Sequence, residues 1–107
     1  MSEYIVVLVT APDAGTAADM GRKLIEEGLC ACVNILPAIR SIYQWKGEVC
    51  DNAESLCIIK TRTLLFEPLK KRVKELHTYE VPEIIALKIE HGLKQYLDWI
   101  GDMTEMS

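Results

Sequence analysis

The feature that most limits what this chain can fold into is a β-pattern too long for its size. From Leu29 to Trp45, apolar residues recur through Ala31, Val33, Ile35, Ile39, Ile42, Tyr43 and Trp45. Lys46-Gly47 then reads as a hairpin turn, and Val49 with Leu56 to Thr61 forms the returning strand. A chain of 107 residues is the common size for one core, so residues 1–107 are read as a single domain. Strands of this length overhang such a core, and their far end needs cover from elsewhere. Pro37 interrupts the first of them. Proline has no amide for a central ladder, so a bend or bulge on an edge strand is predicted there.

The remaining elements follow from pattern and punctuation. Tyr4 to Val9 is a continuous β-branched run, predicted as a central strand buried on both faces. Asp13 is a good N-cap, and Ala14, Ala17, Ala18, Gly21, Leu24 and Ile25 give a helical stripe that Gly28 ends. A second helix opens at Thr63, or nearer Phe66 because Pro68 cannot supply an interior amide. Glu83 to Ile89 is the fourth strand, and Leu93, Tyr96, Leu97 and Ile100 mark a last helix ending at Gly101. The order β-α-β-β-α-β with right-handed crossovers predicts an α+β, ferredoxin-like sandwich with an extra C-terminal helix. One sheet face then has only that last helix to cover it, which points to contact between subunits.

Half of the residues are hydrophobic, an ordinary globular composition, and the formal charge of −4 offers no footprint for a polyanion. The densest basic stretch, Lys70-Lys71-Arg72 with Lys74, lies on the solvent side of a helix and is diluted by Glu67 and Glu75. No nucleic-acid partner is expected. The first residues lack the basic flank and long apolar run of a secretory signal, and Ile5 to Val9 is too short to span a bilayer. A cytoplasmic protein without a membrane partner is therefore expected. In that setting Cys30, Cys32, Cys50 and Cys57 read as free thiols rather than disulfides. Strand alternation puts Cys30 and Cys32 on one sheet face.

Ferredoxin-like domains host many functions, so the residues must discriminate. A metallochaperone would carry CxxC after the first strand, where this chain has Thr10-Ala11-Pro12-Asp13. An RNA-recognition domain needs aromatic residues on its central strands, but Ser55 to Thr61 contains none. An acyl-phosphate hydrolase would offer an arginine in the first loop, and none is there. Glycine-rich phosphate loops are also absent, and no enzyme activity is expected.

Ordered segments carry a more specific signal. They are Thr10-Ala11-Pro12, Ala31-Cys32-Val33-Asn34-Ile35-Leu36-Pro37, Ser41-Ile42-Tyr43-Gln44-Trp45-Lys46-Gly47, Ile59-Lys60-Thr61, His77 to Ala86, and Tyr96-Leu97-Asp98-Trp99-Ile100. In register over nearly the whole chain, they resemble the CutA divalent-cation tolerance family. That resemblance implies a homotrimer, similar in assembly to PII signalling proteins, that binds copper or another divalent cation. The alternative is a PII-like signalling trimer whose inter-subunit clefts take a small metabolite and whose loops contact a partner protein.

Two candidate sites follow. His77 and Cys32 form a candidate metal pair, since thiolate suits Cu(I) and imidazole is its natural companion. Core packing of Cys32 and a helix-capping role for His77 are the plainer readings. Some relatives carry a cysteine before Thr-Ala-Pro and a second histidine before His77, where this chain has Val9 and Leu76. Thr78 stands in place of the family's usual proline, and Lys88 in place of another. The second candidate is a polar inter-subunit cleft formed by Trp45, Glu54, Lys60, Tyr79 and Glu80. Tyr43 and Trp45, near the hairpin tip, are expected to anchor the trimer interface.

Overall fold

A computed structural model describes residues 3–104. Strand β1 (Tyr4–Ala11) and helix α1 (Ala14–Glu26) are followed by the long strands β2 (Cys32–Trp45) and β3 (Glu48–Arg62). A short 3-10 turn (Thr63–Leu65) then leads into α2 (Phe66–Leu76), β4 (Ile84–Lys88) and α3 (Lys94–Met103). The sheet order is β2-β3-β1-β4 with every pair antiparallel, the ferredoxin-like arrangement expected from the element order. No helix among the described residues is long and apolar enough to cross a membrane.

The core lies between the sheet and α1 and α2. Ile5, Val7 and Val9 of β1 meet Cys57 and Ile59 of β3, Leu24 and Met20 of α1, and Leu69 and Val73 of α2. Val6 and Leu8, which alternate with them, stay half-exposed. The prediction of burial on both faces of β1 is thus met on one face within a single chain. Asp13 Oδ1 accepts the Thr16 amide at 2.7 Å, which caps α1. The helix then lies close against β2, because a Cβ on Gly21 would meet Val33 Cγ1 at 3.3 Å.

Three expectations are refined by local physics. The 3-10 turn absorbs the residues before Phe66, which puts Pro68 in the first helical turn, where its missing amide is harmless. Helix α3 runs past Gly101 to Met103, so this glycine is not a stop signal. It serves close packing instead, since a Cβ there would lie 3.0 Å from Tyr4 Oη. Cys30 and Cys32 part company: Cys30 joins the core cluster, whereas Cys32 is half-exposed outside it. Alternation applies only within a strand, and β2 begins at Cys32 after a bend at Ala31.

β1 pairs with β3 only as far as Ala11↔Ser55, and β4 with β1 only from Ile5 to Val9. Beyond Ser55, β3 pairs with β2 alone, from Ile39↔Glu54 to Trp45↔Glu48. This two-stranded arm begins at a register shift between Leu36 and Ile39, the irregularity predicted at Pro37. Ser55 Oγ donates to the Pro37 carbonyl at 2.7 Å and fastens the bulge. Lys46 and Gly47 have φ of 50° and 81°, the paired left-handed conformations of a two-residue hairpin loop. The arm accounts for the elongation of the molecule, 44 × 26 × 22 Å.

Leu24 is fully buried while its neighbour Ile25 is 46 % exposed. Leu24→Ala is expected to lower the unfolding free energy by about 2–5 kcal/mol in denaturant titration. Ile25→Ala should change it by less than about 1 kcal/mol.

Candidate functional site

A broad cleft of about 1070 Å³ opens where the arm faces the segment joining α2 to β4. Tyr43 and Trp45 on β2 form one side, and Tyr79, Glu80 and Glu83 the other. Thr10 and Pro12 close the end nearest β1, and Glu54 enters from the first rung of the arm.

His77 fixes the 78–83 segment. It caps α2 by donating its amide to the Val73 carbonyl at 2.8 Å. Its Nε2 lies 2.6 Å from the Thr10 carbonyl oxygen, which can only accept, so Nε2 carries the ring proton. Nδ1 is then the acceptor, and it takes the Tyr79 amide at 3.1 Å. The Tyr79 ring packs against the imidazole with centroids 4.6 Å apart. Beyond it, Tyr79 Oη donates to Glu54 Oε2 at 2.7 Å. A continuous chain thus runs from the end of β1 through His77 and Tyr79 to a carboxylate that is only 9 % exposed. Burial first, then the hydrogen bond and charge of Glu54, with smaller effects from Tyr43 and Asp13, hold the Tyr79 phenol above its ordinary range.

The arm brings its own polar groups. Arg40 grips Asp51 through two hydrogen bonds of 2.9 and 2.7 Å, which keeps the Asp51 carboxyl below the usual carboxylate range. Asn52 Nδ2 donates to Tyr43 Oη at 2.7 Å. Lys46 Nζ sits 5.8 Å from the Trp45 ring centroid and 3.8 Å from Glu80 Oε2, linking the hairpin tip to the opposite wall. Sequence reasoning did not single out Arg40, Asp51 or Asn52. A signal for them existed: counting back from Lys46-Gly47 pairs Ile42 with Asp51 and places Arg40 on its diagonal.

The structure therefore gathers Trp45, Glu54, Tyr79 and Glu80, with Tyr43, around one cleft. Lys60 lies elsewhere, opposite Cys32 on the β2–β3 ladder, where its ammonium donates to Asn34 Oδ1. Cys32 Sγ is 3.6 Å from the same oxygen. Cys32 and His77 are not brought together. Cys32 pairs with Lys60, which pairs with Val6, whereas His77 is held at Thr10. Four residues of strand separate these rungs, about 13 Å at 3.3 Å per residue. Both His77 ring nitrogens are also occupied, and a metal ion needs a free lone pair. No group of three or more His, Cys, Asp or Glu side chains gathers as a metal site among the described residues. A metal ion held jointly by Cys32 and His77, Cu(I) included, does not fit this chain.

A phenol held above its ordinary value contributes stability that is complete below about pH 10 and fades as pH rises toward the folded value. Unfolding measured across alkaline pH should show that decline in the native chain and a shallower one in Tyr79→Phe. At neutral pH, Tyr79→Phe leaves the buried Glu54 oxygen without its donor and is expected to cost about 1–3 kcal/mol.

Comparison with known proteins supplies the family. Residues 5–103 match the model of the CutA1 divalent ion tolerance protein family. The chain is 50 % identical over 99 residues to the divalent-cation tolerance protein CutA of Thermus thermophilus, covering 92 % of this chain and 96 % of that protein. It is 46 % identical over 100 residues to the chloroplastic CutA of Arabidopsis thaliana, covering 94 % of this chain but 55 % of that longer protein. The crystal structure of CutA1 from Oryza sativa superposes with a TM-score of 0.94 at 45 % identity, covering 99 % of this chain and 97 % of that one. With the long hairpin, the Thr10-Ala11-Pro12 end of β1 and the His77–Glu83 segment all in place, the chain belongs to the CutA1 divalent ion tolerance family.

Proposed function

We propose that this chain serves divalent-cation tolerance as a non-enzymatic, cytoplasmic homotrimer that binds a small ligand in the arm cleft, a PII-like mode of action. The observation that carries the ligand-binding reading is the Tyr79–Glu54 pair, a buried carboxylate placed in a large concave site and held there through His77. Buried polar groups with fixed partners, set among aromatic side chains, are what give a pocket orientation and specificity. Free thiols at all four cysteines suit a reducing compartment.

Self-association is supported by apolar surface that one chain leaves open. Ile85 and Leu87 on β4, Leu36 on β2, and Ile42 and Val49 on the arm are all about half-exposed or more. Covering the exposed part of such side chains is worth roughly 1–2 kcal/mol each, a drive for copies to cover one another. The trimeric number is the one implied by the family resemblance. Copper binding at Cys32 is the rival reading, favoured by its half-exposed thiol beside Asn34 and Lys60.

Native mass spectrometry of the reduced protein is expected to give three chains per particle, and a monomer at working concentration would contradict the assembly. Copper titration by calorimetry is expected to show weak binding that Cys32→Ser and His77→Ala leave unchanged. Tight, stoichiometric binding lost in either variant would move the functional site to that residue.

A further inference from the structure

The charge of the cleft narrows the chemistry of its ligand. Among the residues lining it, Glu54, Glu80 and Glu83 are carboxylates and Arg40 is the one cation. Arg40 is already committed to Asp51 by its bidentate pair. An incoming anion would therefore meet carboxylates and no available positive partner from the lining residues. Glu54 adds a second constraint. It is 9 % exposed and takes the Tyr79 hydroxyl on Oε2, while among the described residues no donor reaches Oε1. That oxygen is left to accept from whatever enters the cleft.

The chain itself shows which group the rim accepts. Lys46 Nζ lies over the face of Trp45 and beside Glu80, an ammonium between an aromatic ring and a carboxylate. Electrostatic attraction of a cation to the ring and to the carboxylate both favour this arrangement. Yet the two side chains of the ion pair are 72 % and 74 % exposed, so solvent screening keeps the contact weak and replaceable. Tyr43 offers another half-exposed aromatic side chain in the same cleft.

Taking the cleft as the ligand site, we infer that its ligand is a small organic primary ammonium ion, received by the Trp45 and Tyr43 rings and the carboxylates of Glu54 and Glu80. Lys46 holds part of this site when it is empty and swings aside when the ligand binds.

The test uses the assembled protein and two probes with the same alkyl chain and opposite charge, n-butylammonium and butyrate, at matched ionic strength. Trp45 and Trp99 are the two tryptophans, so the Trp45 indole N–H resonance reports the cleft and that of Trp99 serves as an internal control. Saturable displacement of the Trp45 signal by n-butylammonium, with butyrate inert and Trp99 unmoved, is the expected result. Affinity should fall about tenfold in Glu54→Gln and rise severalfold in Lys46→Met, which removes the competing internal ammonium. Glu80→Gln, at an exposed position, repeats the first arm if Glu54→Gln does not fold. Saturable binding of butyrate without n-butylammonium would overturn the cation assignment while leaving the cleft as a ligand site. Silence of Trp45 toward both probes would overturn both readings. Affinity unchanged in Glu54→Gln, Glu80→Gln and Lys46→Met would also reject the proposal.

Discussion

The unequal lengths of the strands govern the rest of this structure. β2 and β3 have 14 and 15 residues, while β1 has 8 and β4 has 5. A four-stranded sheet can exist only where all four strands reach, and that region is what α1 and α2 cover. Past Ser55 the ladder narrows to a two-stranded arm to which no third strand pairs among the described residues. Isolated hairpins are marginal in water, so an arm bearing exposed Ile42 and Val49 needs further contact to be stable. The cleft is one consequence of that mismatch, and the apolar surface left open on the arm is another.

The junction between sheet and arm is where the functional geometry concentrates. The bulge at Pro37 marks the start of the arm, Ser55 fastens it, and Glu54 sits on the first rung beyond it. From the other side, β1 ends at Ala11, and its Thr10 carbonyl is the anchor for His77. His77 then acts as a rigid coupler rather than a ligand: one ring nitrogen holds β1 and the other holds the Tyr79 amide. This explains why a histidine at the C-terminus of α2 bears on a cleft walled by β2 and the 78–83 segment. The carboxylates and aromatic rings beyond it set the electrostatic character of the opening, with Arg40 neutralised locally by Asp51.

Much of this was readable in the sequence, because hydrophobic period, proline and glycine act locally. The long hairpin, its Lys46-Gly47 turn, the break at Pro37 and the N-cap at Asp13 all follow from such signals. Gly101 misled because a glycine that ends a helix and one that permits close packing look alike without the partner, here Tyr4. Cys30 escapes the alternation because that pattern does not extend before the first residue of β2. The site was legible as residue types but not as positions. Grouping Trp45, Glu54, Tyr79 and Glu80 needed only the hairpin and the His77 segment. Separating Lys60 from them, and Cys32 from His77, required the offset between β1, β2 and β3, which is a long-range register and leaves no local mark.

We propose that the arm is an incomplete element, finished by neighbouring copies and thereby made into a binding wall. Hydrogen exchange of the arm amides, from Ile42 to Cys50, tests it most directly when followed alongside particle mass. In the assembled protein these amides should be protected nearly as well as those of β1, and protection should vanish when assembly is disrupted. Fast exchange of the arm at every concentration, in a particle whose mass is that of several chains, would show that assembly does not support the arm and would contradict the account.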